Sequence, residues 1–155
     1  MRERMESLRW SRREVLAVSA AGAVALGLPA QVKATSQEAD DMVKKLIGGA
    51  MVKEGKVQLK LKDVAESGAA EPVAVSVDSP MSAADHVKAI HVVAEGNPAP
   101  GVSSWFLTPR SGKAEVAFRM RLAKTQVVRA YAVMSDGSVW MTKQEIKVTI
   151  GGCGG

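Results

Sequence analysis

The single cysteine of the chain, Cys153, stands third from the C-terminus in "GGCGG" (151–155), directly after the alternating run "VTI". A lone thiol most often serves as a small buried hydrophobe. Here Gly151, Gly152, Gly154 and Gly155 supply no side chain to bury it, and each glycine loses much backbone entropy on ordering. The residue types suit a flexible carrier arm instead. A fully extended chain puts Cys153 roughly 10 Å beyond Ile150, on a thread thin enough to enter a narrow site in another protein. An exposed thiol of pKa about 8.5 is only a few per cent thiolate at neutral pH. No Lys, Arg or His adjoins Cys153, and the terminal carboxylate two residues on disfavours the anion. The pattern therefore fits an attachment point activated inside a partner's site, not a nucleophile working alone. Two plainer readings stay open: a disordered or added tail, and a disulfide to another chain, which an odd cysteine in an exported protein invites.

Other chemistry-bearing residues are sparse. His86 and His91 are the only histidines; five apart on a strand they point to opposite faces, so they form no metal-binding pair unless a bulge intervenes. No Ser/His/Asp arrangement, phosphate loop or metal-spaced cysteine set is present, and the residues call for no bound cofactor and no metal. The methionines read as core fillers, and Trp105 and Trp140 as core or interface anchors.

These residues must be positioned by what precedes them. Residues 1–14 hold Arg2, Arg4, Arg9, Arg12 and Arg13, and the apolar run "VLAVSAAGAVALGL" follows at 15–28. That run is short for a membrane span and has the layout of a signal peptide. Val32 and Ala34 suit the −3 and −1 positions, which places cleavage after Ala34, with Ala30 as the alternative. Membrane contact is expected only through the uncleaved leader. "SRREVL" (11–16) resembles the twin-arginine export signal, with Arg12 and Arg13 as the pair and Val15 where Phe is common. That resemblance implies export of a folded protein to the periplasm, and no lipid-attachment cysteine follows the leader. The net charge of +5 is largely the leader's: residues 1–34 hold six basic and three acidic residues, leaving fifteen and thirteen, a balance of +2. Those charges are interspersed, so no nucleic-acid footprint is expected.

"TSQEADDMVKKLIGG" (35–49) predicts one helix. Ser36 is a candidate cap, Ala39, Val43, Leu46 and Ile47 form an apolar stripe, and Gly48 is the stop. From Lys56 the period becomes two. Apolar residues alternate with polar ones in 56–62, 72–78 (Val73, Val75, Val77), 115–122 and 144–150, and 87–95, 102–107 and 126–134 fill in as further strands. Turn signals separate them, and Asp136-Gly137 predicts a two-residue hairpin. The expected fold is all-β: an immunoglobulin-like β-sandwich of about seven strands with one N-terminal helix after the signal peptide. Residues 1–34 are the leader, 35–150 the helix and sandwich, and 151–155 the arm.

The terminal "GGCGG" after a "VTI" strand, the twin-arginine leader, the length and the all-β body resemble the SoxY family, substrate carriers of the bacterial thiosulfate-oxidising (Sox) system. The resemblance implies an immunoglobulin-like fold and a heterodimer with SoxZ, a second β-sandwich protein that is leaderless and exported with it. It also implies that Cys153 carries the substrate covalently, and that the four glycines serve as the arm. A haem-containing enzyme would couple thiosulfate to the thiol, a hydrolase would release sulfate, and a sulfane dehydrogenase is a further transient partner. The chain itself would be no enzyme. No motif marks the SoxZ interface. Three other readings compete: a ubiquitin-like sulfur carrier activated on its terminal carboxylate, an exported β-sandwich interaction module whose cysteine only links a disulfide dimer, and, last, a stand-alone thiol enzyme.

Overall fold

In the computed structural model of the chain the described residues are 36–151. The leader with Arg12 and Arg13, both cleavage sites, and Gly152, Cys153, Gly154 and Gly155 lie outside them.

Ser36–Ile47 form helix α1. Glu38 in its first turn and Lys44 and Lys45 in its last oppose the helix dipole. Gly48 and Gly49, at φ 64° and 75°, end it in the left-handed region. The expected stripe is the face that packs: Ala39 and Val43 are buried, with Leu46 and Ile47 beside them, against Val93, Tyr131 and Val139.

Nine strands follow: β1 Val52–Glu54, β2 Val57–Lys60, β3 Val64–Ser67, β4 Glu71–Val77, β5 Val87–Ala94, β6 Gly101–Phe106, β7 Glu115–Met120, β8 Gln126–Met134 and β9 Val139–Ile150. A short 3-10 turn, Pro109–Ser111, lies between β6 and β7. The larger sheet runs β1-β9-β8-β5-β6, with β3 on β9 as well; the smaller runs β2-β4-β7. The two sheets enclose one apolar core that includes Ile90, Val92, Val128, Met134 and Ile146 from the larger sheet, Val73 and Val75 from the smaller, and Leu122 from the 121–125 connection. Helix α1 covers part of the larger sheet's outer face, where Arg129 on β8 joins Asp40 of α1 at 2.6 Å and also pairs with Glu95. Among the described residues the fold is the expected immunoglobulin-like sandwich with one helix.

Three details differ from the sequence expectation. Strands β1 and β3 add to the seven. They are three and four residues long and pair in parallel with the two ends of β9, too short to show a period of two. Strand β9 begins at Val139, not at 144. Its first half lacks alternation because both faces are covered: Val139 lies under α1, and Trp140 has the Lys53 and Lys56 ammonium groups 5.6 and 5.3 Å from its ring. The β8–β9 hairpin is a three-residue loop, not a two-residue one. Met134 donates to the Ser138 carbonyl at 2.9 Å, Gly137 donates to the Met134 carbonyl at 3.1 Å, and only Gly137 has positive φ, 82°. This is a type I turn closed by a glycine bulge, whereas a two-residue type I′ turn needs positive φ at both central residues.

Candidate functional site: the base of the C-terminal arm

Twelve residues make β9 the longest strand, and its neighbours change along its length. From Val139 to Ile146 it pairs antiparallel with β8. Beyond Ile146, β8 has ended, and β3 takes over in parallel register: Val64 faces Lys147, Ala65 faces Val148 and Ser67 faces Ile150. On the other side, the Val148 amide donates to Thr125 Oγ1 at 2.9 Å. Gly68 closes the end. Its N–H donates to the Ile150 carbonyl, and its own carbonyl accepts from the Leu122 N–H, both at 2.7 Å. The chain thus leaves the sandwich from a strand end held on both flanks, not from a frayed terminus.

Gly151 is the first residue of the expected arm and the only one of its five among the described residues. Its φ is not in the left-handed region, so a glycine is not needed there for backbone conformation. It is needed for space: a Cβ at this position would fall far inside contact distance of the Ala123 carbonyl oxygen. Ala123 belongs to the 121–125 loop between β7 and β8, and Leu122 of the same loop is fully buried in the core. Around the base, Ile150 and Val64 expose their side chains, 66% and 52%. Arg121, Lys124 and Lys147 on the converging segments are offset by Asp63 and Glu66. The charge there is mixed and forms no built anion site.

One carboxylate at this end of the sandwich escaped the sequence reading. Glu71 opens β4, in register with Met120. It is buried, and its Oε2 has no hydrogen-bond partner. The signal was available: Glu71 continues by two the inward series Val73, Val75 and Val77.

The histidines do not converge. A bulge does interrupt β5 between Val87 and Ala89, yet His86 lies before the strand and His91 within it. The His86 N–H donates to Ser135 Oγ at 3.1 Å, and its buried Nδ1 has no partner. His91 is buried on the larger sheet, its Nδ1 2.7 Å from Ser104 Oγ and its ring edge-on to Phe106 at 6.2 Å. Burial pushes the His91 pKa below 6.5. Among the described residues no three His, Cys, Asp or Glu side chains gather as a metal site. Trp105 stacks at a tilt on Phe118, centroids 4.6 Å apart, as part of the core wall. No helix among the described residues is long and apolar enough to cross a membrane.

Comparison with known proteins supplies the context for this geometry. The family model described as sulfur oxidation protein SoxY matches residues 43–153, a span that ends on the cysteine. The sulfur carrier protein SoxY of Chlorobium limicola f thiosulfatophilum superposes with a TM-score of 0.64 at 31% identity, covering 75% of this chain and all of that one. A superoxide reductase (neelaredoxin) of Ignicoccus hospitalis follows at TM-score 0.57 and 20% identity, covering 63% of this chain and 94% of its own. A putative superoxide reductase of Thermotoga maritima follows at 0.54 and 15%, covering 64% and 93%. The two reductases share the fold alone. Curated proteins give no significant match. With the family model spanning most of the chain and a sulfur carrier aligned over its whole length, the chain belongs to the SoxY family of sulfur oxidation proteins.

Proposed function

We propose that this protein is a periplasmic carrier, exported by the twin-arginine route, that holds thiosulfate-derived sulfur covalently on Cys153 and presents it to partner enzymes. The observation that carries this reading is the end of β9. A strand braced by β3, Gly68 and Thr125 delivers the chain, at Gly151, to the four residues that contain the only thiol.

The chemistry asks little of the carrier. In the loading step the Cys153 Sγ–H bond breaks and Sγ bonds to the sulfane sulfur of thiosulfate. One proton is released and two electrons pass to the haem acceptor of the coupling enzyme. In the release step water attacks the sulfone sulfur. The bond between the sulfane and sulfone sulfurs breaks and sulfate departs with the water's oxygen. One proton goes to solvent and one to the persulfide that stays on Cys153, for a sulfane dehydrogenase or a transfer reaction to consume. Each step needs a base or an acceptor that the partner supplies, in keeping with an arm that places no cation beside the thiol. A SoxZ-like β-sandwich is the proposed heterodimer partner.

The test is thiosulfate-dependent electron transfer in the presence of the purified haem coupling enzyme and a cytochrome acceptor. Cys153→Ser abolishes it while the urea midpoint of the domain stays within error, since the substitution follows the last strand in sequence. A Gly155 extension by one residue leaves turnover largely intact, which separates thiol from carboxylate chemistry. If Cys153→Ser retains turnover, the carrier reading fails. If reduced monomer carries no sulfur and the disulfide dimer on a non-reducing gel is the only competent form, the interaction-module reading replaces it.

A further inference from the structure

The 121–125 loop that faces Gly151 carries a polar scaffold out of proportion to its length. Asn97, in the loop between β5 and β6, donates through Nδ2 to the Arg121 carbonyl at 2.8 Å, and its Oδ1 accepts from the Ala123 N–H at 3.0 Å. One amide thus spans the residue on either side of buried Leu122. The same Oδ1 accepts from Gln126 Nε2 at 2.9 Å. Gln126, itself buried, donates also to the Lys124 carbonyl at 3.1 Å and accepts at Oε1 from the Gly96 N–H at 2.7 Å. Thr125 completes the loop by accepting from Val148 of β9. A Cβ on Gly96 would sit 2.9 Å from Gln126 Cβ, so the two loops are packed as well as bonded.

Such a network is costly unless every member is satisfied, and satisfied it rigidifies. What it makes rigid is a short loop whose Ala123 carbonyl stands where only a glycine can pass. We propose that Asn97, with Gln126, is a positioning residue for cargo presentation. It fixes the 121–125 loop as a seat for Gly151, which sets where the arm starts and the direction in which it leaves. The proposal rests on the carrier reading above. Glycine at 151 then has a different task from the glycines beyond it: it lets the backbone lie against the seat.

Misplacing a presented group by about 1 Å, through a change remote from the chemistry, costs up to ~100-fold in rate. Asn97→Ala removes the partners of Arg121, Ala123 and Gln126 together. Two readouts separate positioning from mere stability, both on the full chain with its domain folded. The first is hydrogen exchange at Gly68 and Leu122, which needs no cargo. Asn97→Ala speeds exchange at both amides at least tenfold more than at the β8 core amide of Ala130. The second is loading by the haem coupling enzyme with thiosulfate, set against the reaction of Cys153 with a small disulfide reagent. Asn97→Ala lowers kcat/KM for loading about tenfold and leaves the small-reagent rate within twofold. Asn97→Asp, which keeps the acceptor and loses the donor, falls between. Gly151→Ala produces the same split, and the double variant is no worse than the poorer single, because both act on one seat.

Unchanged exchange at Gly68 and Leu122 overturns the seat whatever the cargo. Faster exchange with unchanged loading overturns the positioning role, and so does equal loss of loading and small-reagent rate. If Asn97→Ala speeds exchange as described but the wild-type protein is never loaded, the carrier reading falls and the positioning role with it.

Discussion

The amide of Gly68 donates to the carbonyl of Ile150 at 2.7 Å, and through this bond the last residue of the sandwich is tied to a neighbouring strand's end. Because the Gly68 carbonyl in turn accepts from Leu122, three segments distant in sequence meet where the arm begins. The fold's contribution to a carrier is thus a fixed point of departure.

Leu122 anchors that meeting point from below. It is fully buried, and its backbone holds Gly68. Leu122→Ala lowers unfolding free energy by about 2–5 kcal/mol, the range for a buried leucine truncated in a packed core. Urea denaturation measures it; a loss below about 1 kcal/mol would show that the loop does not belong to the core.

Glu71 sits in the core wall with one oxygen unpartnered. Burying an unpaired polar group is unfavourable, so Glu71→Met raises the unfolding free energy by about 1–2 kcal/mol. Chemical denaturation decides the sign, and destabilisation by a similar amount would contradict the account of this side chain.

Arg129 joins α1 to the larger sheet through Asp40 and also binds Glu95. Arg129→Met releases the helix and strands Glu95, at a cost of about 1–2 kcal/mol, between the exposed and the buried limits for ion pairs. Hydrogen exchange over Ser36–Ile47 rises more than exchange in β5. Uniform exchange across both would mean that apolar contacts alone hold the helix.

His91 makes stability depend on pH in one direction. Its folded pKa lies below 6.5 because burial penalises the cation. Above that pH the imidazole is neutral in both states. As pH falls through 6.5, the unfolded chain binds the proton first, so stability is lost progressively toward the folded value. Denaturant midpoints at pH 7.5 and 5.5 fall further apart in the wild type than in His91→Gln. Equal pH dependence in the two would refute the assignment.

How much of this was legible in the sequence varies with how one-sided each element is. Helix α1 and strands β4 and β7 face water on one side, so their apolar residues recur at the helical or strand period. Strand β8 came within its observed bounds from its apolar content. The first half of β9 did not, because Val139 and Trp140 are covered on opposite faces. The family was readable from "GGCGG" after "VTI" together with the leader, the length and the all-β body. The braces at its base were not: Asn97 reaches Arg121 and Ala123 across about two dozen residues of sequence, and such pairing leaves no local period. Gly151 reads in sequence as one more flexible glycine; only the Ala123 carbonyl beside it shows a steric need.

The most direct test of the central claim is the intact mass of the wild-type protein after incubation with thiosulfate and the haem coupling enzyme, followed by mapping of the C-terminal peptide. The carrier account predicts one thiosulfate-derived adduct per chain, on Cys153, removed by a thiol reductant and absent in Cys153→Ser. An unmodified C-terminal peptide under turnover conditions, or an adduct that persists in Cys153→Ser, would contradict it.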